Sequence, residues 1–164
     1  MNMIKPKIYL DTSVVSHYLA DDAIEKQYDT RILWDQLMKG EYEIIVSPVN
    51  YEEFEKCKTP EEIDALYEVL NMLEFTFVDE TVETHSLANE YLNTGIMPAR
   101  TLDDCRHIAV ASIYRCKYIL SWNMKHFVKL KTMEMVKRVN EKLGVYQPMI
   151  LTPAIFIEGG EENE

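Results

Sequence analysis

Polar side chains that could bind a metal ion occur at four well-separated positions, each just after a predicted strand or in the helical turns that follow one. Asp11 directly follows the apolar run at residues 8–10, and Glu53 lies six residues beyond the serine that ends the second predicted strand. Asp104 falls in the first turn of a predicted helix, and Asn123 follows the run 119–122. Three carboxylates and one carboxamide form an oxygen-rich set that suits hard cations such as Mg²⁺ or Mn²⁺.

The electrostatics of such a set indicate a function. Carboxylates a few Å apart repel one another, so one of them takes up a proton unless a counter-charge is present. A divalent ion removes that conflict, and it can also polarise a phosphate and activate water for attack. A single acidic residue at a helix start is more often a dipole-stabilising residue than a ligand. It is the recurrence at strand ends that predicts a metal-dependent phosphodiester hydrolase.

The elements that must position these residues alternate along the chain. The predicted strands are residues 7–10, 42–46, 75–78, 118–120 and 149–151. The predicted helices are residues 14–19, 29–39, 82–93, 101–113 and 132–143, with two more that begin after Ser47 and Thr59. This alternation is typical of an α/β domain with a mainly parallel sheet covered on both faces. Ligand sites in such sheets lie beyond the carboxyl ends of the strands.

Length and composition fit one globular domain. The chain has 164 residues, of which 47% are hydrophobic, enough to fill a single core. Its apolar runs are far shorter than the ~20 residues that cross a bilayer, so we predict no membrane span. No secretory signal is visible, and three cysteines without metal-ligand spacing suggest reduced thiols in a cytoplasmic protein. We predict one domain over residues 1–157 and a disordered acidic tail over residues 158–164.

Charge is distributed unevenly around a net value of −11. Residues 51–90 contain twelve acidic residues and two lysines, whereas residues 115–142 contain eight basic residues and two acidic ones. The acidic balance argues against a protein that coats nucleic acid, but it allows one that cuts nucleic acid at a local site. The charge runs are either solvated helix faces or, in the basic segment, contacts to a phosphate-containing substrate.

Four motifs carry a resemblance to a known family. They are Tyr9-Leu-Asp-Thr-Ser-Val-Val15, Ser47-Pro-Val-Asn-Tyr-Glu-Glu-Phe54, Asp104-Cys-Arg-His-Ile-Ala109 and Ile119-Leu-Ser-Trp-Asn-Met-Lys-His-Phe127. Through them the chain resembles the PIN domain, and within it the toxin ribonucleases of VapBC-type toxin–antitoxin pairs. The resemblance implies a three-layer α/β/α sandwich, cleavage of single-stranded RNA that depends on Mg²⁺ or Mn²⁺, a homodimer, and an antitoxin protein as partner.

The resemblance also implies which acidic residues form the metal site. Asp11, Glu53 and Asp104 match the family's three acidic positions. Glu53 is preferred to its neighbour Glu52 by the spacing from the start of the helix and by the phenylalanine that follows it. Asp104 is preferred to its neighbour Asp103 by the Asp-x-x-His-Ile-Ala register.

Further site residues follow from the same resemblance. Thr12 and Ser13 occupy positions where the family has small polar residues that shape the site. Asn123 stands where many members have a fourth acid, so it contributes an oxygen ligand or holds a metal-bound water but adds no charge. Lys125 and His126 follow it and are candidates for contact with substrate phosphate.

Two interpretations stay open beside the nuclease. A non-catalytic PIN-fold module that binds RNA or a protein would also be compatible with Asn123 and with the acidic composition. An aspartyl-phosphate phosphatase would require a second aspartate two residues after Asp11, where this chain has Ser13.

His107 either bonds a site carboxylate or is an ordinary buried histidine.

Overall fold

The fold is built on a five-stranded, fully parallel sheet. The computed structural model describes residues 4–162. The strands are β1 (Lys7–Leu10), β2 (Glu43–Val46), β3 (Phe75–Phe77), β4 (Tyr118–Leu120) and β5 (Met149–Leu151). They lie in the order β3-β2-β1-β4-β5, so the chain leaves the first strand at the centre and builds outward on both sides. Because every neighbouring pair is parallel, all five carboxyl ends lie at one edge of the sheet.

Helices connect the strands and cover both faces. They are α1 (Thr12–His17), α2 (Ile24–Leu37), α3 (Pro48–Glu55), α4 (Pro60–Asn71), α5 (Val82–Asn93), α6 (Leu102–Ile113), α7 (Leu130–Leu143) and α8 (Pro153–Glu162). A short 3₁₀ turn at Ala99–Thr101 precedes α6. Among residues 4–162, no helix combines the length and the apolar content needed to cross a bilayer.

Alternation along the central strand divides the core into two layers. Ile8 and Leu10 point to the face covered by α1, α2, α4 and α8, where Trp34 is the largest buried side chain. Tyr9 points to the opposite face, which α5, α6 and α7 cover. Successive side chains of a strand face opposite sides of the sheet, so a strand of four residues serves both layers. The predicted three-layer α/β/α architecture is therefore confirmed.

Local sequence signals explain several helix starts. Ser47 precedes α3, and its hydroxyl accepts a hydrogen bond from the Val49 amide at 3.3 Å. The Asn50 side chain completes the capping box by accepting from the Ser47 amide at 2.9 Å. Thr59 likewise accepts from the Glu62 amide before α4. These contacts satisfy backbone donors that a helix start leaves unpaired.

The structure corrects the predicted start of α6. The helix predicted to begin at residue 101 begins at Leu102, and Thr101 is its N-cap residue without a side-chain cap hydrogen bond. A 3₁₀ turn runs directly into the helix, and the Thr101 hydroxyl donates to the carbonyl of Pro98 at 2.6 Å. Asp103 and Asp104 therefore occupy the first turn of α6, where negative charge is favourable.

Element boundaries differ from prediction mainly at the helices. All five predicted strands are present, but α2 begins at Ile24 rather than at residue 29, and α7 begins at Leu130 rather than at residue 132. Helix α8 was not predicted at all. Its bounds include residues 158–162 of the predicted tail, whereas residues 163–164 lie outside the described part of the chain. The domain boundary at residue 157 stays a prediction.

Candidate active site

Asp11 lies at the carboxyl end of β1, directly before α1. Its amide donates to the carbonyl of Leu120 at 3.0 Å, which ties the end of β1 to the end of β4. Its carboxylate oxygen Oδ2 accepts hydrogen bonds from the hydroxyls of Ser13 at 2.5 Å and Ser121 at 2.8 Å. The side chain is buried. Two donors on Oδ2 orient the carboxylate so that Oδ1 faces the His107 imidazole.

Glu53 reaches the same edge of the sheet from α3. Its Oε1 accepts a hydrogen bond from the Thr12 hydroxyl at 2.9 Å and is in contact with the His107 imidazole Nε2. The same Nε2 lies 3.4 Å from Oδ1 of Asp11. His107 is fully buried and therefore bridges the two carboxylates. One ligand atom from each of Asp11, Glu53 and His107 lies within 4.8 Å of the other two.

A hydrogen-bond chain beneath the site holds the His107 ring. The Tyr9 hydroxyl lies 2.5 Å from His107 Nδ1 and 2.7 Å from the Ser47 hydroxyl. It donates to the Asn50 amide oxygen at 3.3 Å, while the Asn50 amide nitrogen donates to the Thr12 hydroxyl at 3.1 Å. The capping residues of α3 therefore also position the imidazole and, through Thr12, the Glu53 carboxylate.

Asp104 experiences the negative charge of the same region. Burial, and then the charge of Asp11, raise the pKa of Asp104 to about 7, and Glu53 contributes further in the same direction. Burial alone would raise the pKa of Glu53 and lower that of His107, but their mutual hydrogen bond reverses both shifts. We call Asp11, Glu53, Asp104 and His107 the carboxylate cluster. It has one imidazole for three acids.

The immediate neighbours of these residues form a second group. Arg106 Nη1 lies 2.8 Å from Glu52 Oε2 and 3.1 Å from Asp103 Oδ1, and Arg106 Nε donates to Glu80 Oε2 at 2.9 Å. Lys56 adds a contact to Asp103 at 3.2 Å. We call Glu52, Glu80, Asp103 and Arg106 the Arg106 cluster. Glu52 and Asp103, the neighbours that could be confused with Glu53 and Asp104, therefore contact Arg106 instead.

Asn123 joins the site indirectly. Its backbone amide donates to the Ser121 hydroxyl at 3.0 Å, and the same hydroxyl donates to Asp11. Its carboxamide oxygen, predicted as a site ligand, accepts from the amide of His126 at 3.0 Å. The predicted substrate contacts at Lys125 and His126 lie in the turn that this oxygen closes. The catalytic role of Asn123 stays a prediction.

The donor set fits a divalent cation. Carboxylate oxygens of Asp11 and Glu53 lie within 4.8 Å of each other and of a His107 ring nitrogen. Burial and the charge of Asp11 raise the pKa of Asp104, so an added cation would favour the ionised acids. Carboxylate oxygens suit Mg²⁺ and Mn²⁺, and an imidazole nitrogen is better tolerated by Mn²⁺. Among the described residues, Asp11, Glu53 and His107 bring ligand atoms together, whereas Asp104, the third predicted metal ligand, is not in that group and its role stays a prediction.

Comparison with known proteins places the fold. No family model matches the sequence, and no curated protein sequence matches it. The structure is similar to a chain in the crystal structure of VapBC2 from Rickettsia felis bound to a DNA fragment from their promoter. The TM-score is 0.54 and the identity 14%, over 89% of this chain and 98% of that one. The fold is PIN-like.

A second solved structure is more distant. Tyrosyl-tRNA synthetase from Aeropyrum pernix matches with a TM-score of 0.44 and 12% identity, over 90% of this chain and 52% of that chain. This likeness carries no weight for the fold or the site. The likeness to the VapBC2 chain confirms the predicted fold class, and at its level of identity it shows the fold alone.

Sequence reasoning missed several residues that build the site of this PIN-like fold. Ser121 directly follows β4 just as Asp11 follows β1, and since these strands pair, the strand-end rule could have found it. Asn50 was detectable as the third residue after the Ser47 cap. The only signal for Tyr9 was its position in β1, where its side chain faces the side of the sheet opposite to that of Ile8. For His107 the sequence left two interpretations open, and the structure supports the one in which it bonds a site carboxylate: it contacts Glu53 and Asp11, which lie 54 and 96 residues away in the sequence.

Proposed function

We propose that this chain is a PIN-family endoribonuclease that hydrolyses RNA phosphodiester bonds with Mg²⁺ or Mn²⁺. The observation that carries the proposal is the carboxylate cluster at the carboxyl edge of the sheet, where Asp11 and Glu53 converge on His107 and the pKa of Asp104 is raised to about 7. In this proposal Asp11, Glu53 and Asp104 hold the ion, and Asn123 is a further catalytic residue that adds no charge. When bound, such an ion polarises a phosphodiester and lowers the pKa of a water nucleophile.

The residues of the chain have separate tasks in this proposal. Ser13 and Ser121 keep the Asp11 carboxylate oriented, and Thr12 does the same for Glu53. His107 is a positioning residue, because its Nε2 contacts Glu53 while Tyr9 fixes its other nitrogen. A site held in this way needs little reorganisation when a cation and substrate arrive.

The biological setting is also a proposal. The structurally similar chain comes from VapBC2, a complex bound to promoter DNA. We infer that this chain is the toxin of a toxin–antitoxin pair, that it acts in the cytoplasm on RNA, and that it binds an antitoxin protein and forms a homodimer. Co-purification with the product of a short neighbouring reading frame, together with the mass of the free chain in solution, tests these points.

The experiment compares charge-neutralised neighbours. Cleavage of single-stranded RNA is measured with Mg²⁺, with Mn²⁺ and with EDTA, for the wild type and for Asp11→Asn, Glu53→Gln, Glu52→Gln and Asp103→Asn. We expect cleavage only with metal, and a loss of more than about 100-fold for Asp11→Asn and Glu53→Gln, because loss of a ligand exceeds the 10–100-fold typical of residues around it. Glu52→Gln and Asp103→Asn are matched controls that lie in the Arg106 cluster.

Two results would overturn the proposal. Equal activity in the wild type and all four variants would mean that a contaminant or another site cleaves the RNA. RNA binding that persists in EDTA, with no product under any metal condition, would favour the non-catalytic binding module. The neutral Asn123 and the contact between His107 and Glu53 are compatible with that outcome.

A further inference from the structure

A strongly basic cleft is formed by segments that adjoin Asp104 and Asn123 in the chain. Arg100, Lys125, His126, Lys129 and Lys131 line it, and we call this set the basic cleft. Its volume is about 280 Å³. No acidic side chain is among the described residues that line it. In a chain of net charge −11, four cationic side chains from three separate segments therefore meet without a counter-charge in the lining.

This arrangement is electrostatically unfavourable at the start of α7. Lys129 occupies the N-cap position and makes no side-chain cap hydrogen bond in the described structure, and the first turn, which includes Lys131, contains no acidic residue. Helix starts favour anions and disfavour cations, because their unpaired amide groups carry partial positive charge. The cleft thus combines exposed side-chain cations with the positive end of a helix, an arrangement that a bound anion would stabilise.

Both walls of the cleft are continuous with segments that carry predicted site residues. Arg100 lies four residues before Asp104, in the 3₁₀ turn that leads into α6. On the other wall, the His126 amide donates to the Asn123 side chain at 3.0 Å, and the His126 carbonyl accepts from the Thr132 hydroxyl at 2.7 Å. Any ligand that fills the cleft therefore lies next to the segments that carry the predicted site residues.

We propose that the basic cleft binds the phosphodiester backbone of the single-stranded RNA substrate, next to the phosphate that is cleaved. This inference rests on the proposed function, because it names the part of the molecule that would hold that substrate. The planar guanidinium of Arg100 can contact a phosphate through two donors, whereas the lysines act as point charges. Contacts of this kind position a strand without reading its sequence.

The test measures RNA affinity as a function of salt. A short fluorescent single-stranded RNA is titrated in the cleavage-deficient Asp11→Asn background, with Arg100 and Lys131 both changed to Ala. We expect affinity to fall at least about 10-fold at low salt. We also expect the slope of log affinity against log salt to flatten by about 1.4, because each phosphate contact on a single strand contributes about 0.7.

Matched variants separate this role from folding. Lys142→Ala removes a lysine near the opposite end of α7, roughly 16 Å from Lys131 at 1.5 Å per residue, and should leave affinity and slope unchanged. Arg100→Lys keeps the positive charge, so the slope of log affinity against log salt should stay close to that of the protein with Arg100. Thermal stability should stay level or rise in the Ala variants, because repulsion at the helix start is removed.

The outcomes distinguish this inference from the proposed function. If the double variant binds RNA with the same affinity and slope as Lys142→Ala while the wild type cleaves RNA, the cleft assignment is wrong and the nuclease stands. If the slope changes as expected but no condition gives cleavage, the cleft is supported and the nuclease fails. In an active protein, the double variant should raise KM far more than it lowers kcat.

Discussion

Two charged clusters lie side by side on the same two helices and differ in their counter-charge. The carboxylate cluster includes residue 53 of α3 and residues 104 and 107 of α6. The Arg106 cluster includes residue 52 of α3 and residues 103 and 106 of α6. Neighbours on a helix are rotated by about 100°, so adjacent acidic residues point into different surroundings. One cluster contains a permanent guanidinium, whereas the other has only an imidazole that can lose its charge.

The pKa values report the consequence of that difference. A hydrogen bond from Arg106 lowers the pKa of Glu52. Burial alone would raise the pKa of Asp103, but hydrogen bonds from Lys56 and Arg106 lower it. Asp104, one residue further along, has its pKa raised to about 7. In the Arg106 cluster the pKa values of Glu52 and Asp103 are both lowered, whereas in the carboxylate cluster burial, and then the charge of Asp11, raise that of Asp104 although His107 lowers that of Glu53. This contrast makes the carboxylate cluster the candidate for a metal ion.

Removing the guanidinium should produce the largest change in stability. Arg106→Met leaves Glu52, Glu80 and Asp103 without their shared cation, and the side chains of Arg106 and Glu80 are only 14% and 8% exposed. We expect the free energy of unfolding to fall by about 2–3 kcal/mol, below the ~3–5 kcal/mol of a fully buried pair because Arg106 reaches solvent. Urea denaturation at pH 7 measures the effect.

Lys56→Met is the control for this change. Lys56 contacts Asp103 in the same cluster, but its side chain is 68% exposed, so its removal should cost less than about 0.5 kcal/mol. If both variants lose the same stability, the Arg106 cluster is an ordinary surface network rather than the structural support of α3 and α6.

Neutralising Asp104 in the carboxylate cluster should raise the stability of the protein rather than lower it. In EDTA, Asp104→Asn is expected to stabilise the protein at pH 8 by about 2 kcal/mol. The folded pKa of about 7 lies above the ordinary value of 3.8, so the wild type loses stability as pH rises from about 4 to about 7. The full shift corresponds to at most about 4 kcal/mol, and partial exposure reduces it.

The measurement is the difference in the free energy of unfolding between wild type and Asp104→Asn as a function of pH. Denaturation of wild type and Asp104→Asn should give equal stabilities near pH 4, and the difference should grow until about pH 7 and then stay level. Asp103→Asn is the matched control with the reverse sign, because its carboxylate has a lowered pKa and stabilises the folded state once ionised. A destabilised Asp104→Asn at pH 8 would contradict the view that burial and the charge of Asp11 disfavour the ionised Asp104.

The sequence predicted what local rules determine and missed what long-range contacts determine. Asp11 follows from a strand end, and the start of α3 follows from Ser47 and the proline after it. Asn123 was predicted as a site ligand, but its oxygen closes a turn with the His126 amide, a local bond that competes with ligation. The spacing of His107 from Asp104 suggested a bond to a site carboxylate but could not decide between that and ordinary burial, because its partners are distant in the sequence. Helix α8 was missed, and its packing partners are distant as well.

The smallest expected effect concerns the hydrogen-bond chain beneath the carboxylate cluster. Tyr9→Phe removes a buried hydroxyl that contacts His107, Ser47 and Asn50. Tyr91 offers a matched control, because it is equally buried and its hydroxyl donates to Asn140 at 2.6 Å, outside the described site.

Both tyrosine variants should lose about 1–2 kcal/mol of stability, since each leaves buried polar groups without a partner. Only Tyr9→Phe should also reduce RNA cleavage, by about 10-fold, because it frees the His107 ring that holds Glu53. Urea denaturation and cleavage rates at saturating metal measure the two effects. Equal cleavage by both variants would mean that the carboxylate cluster keeps its geometry without Tyr9, and that the bridge between His107 and Glu53 is sufficient by itself.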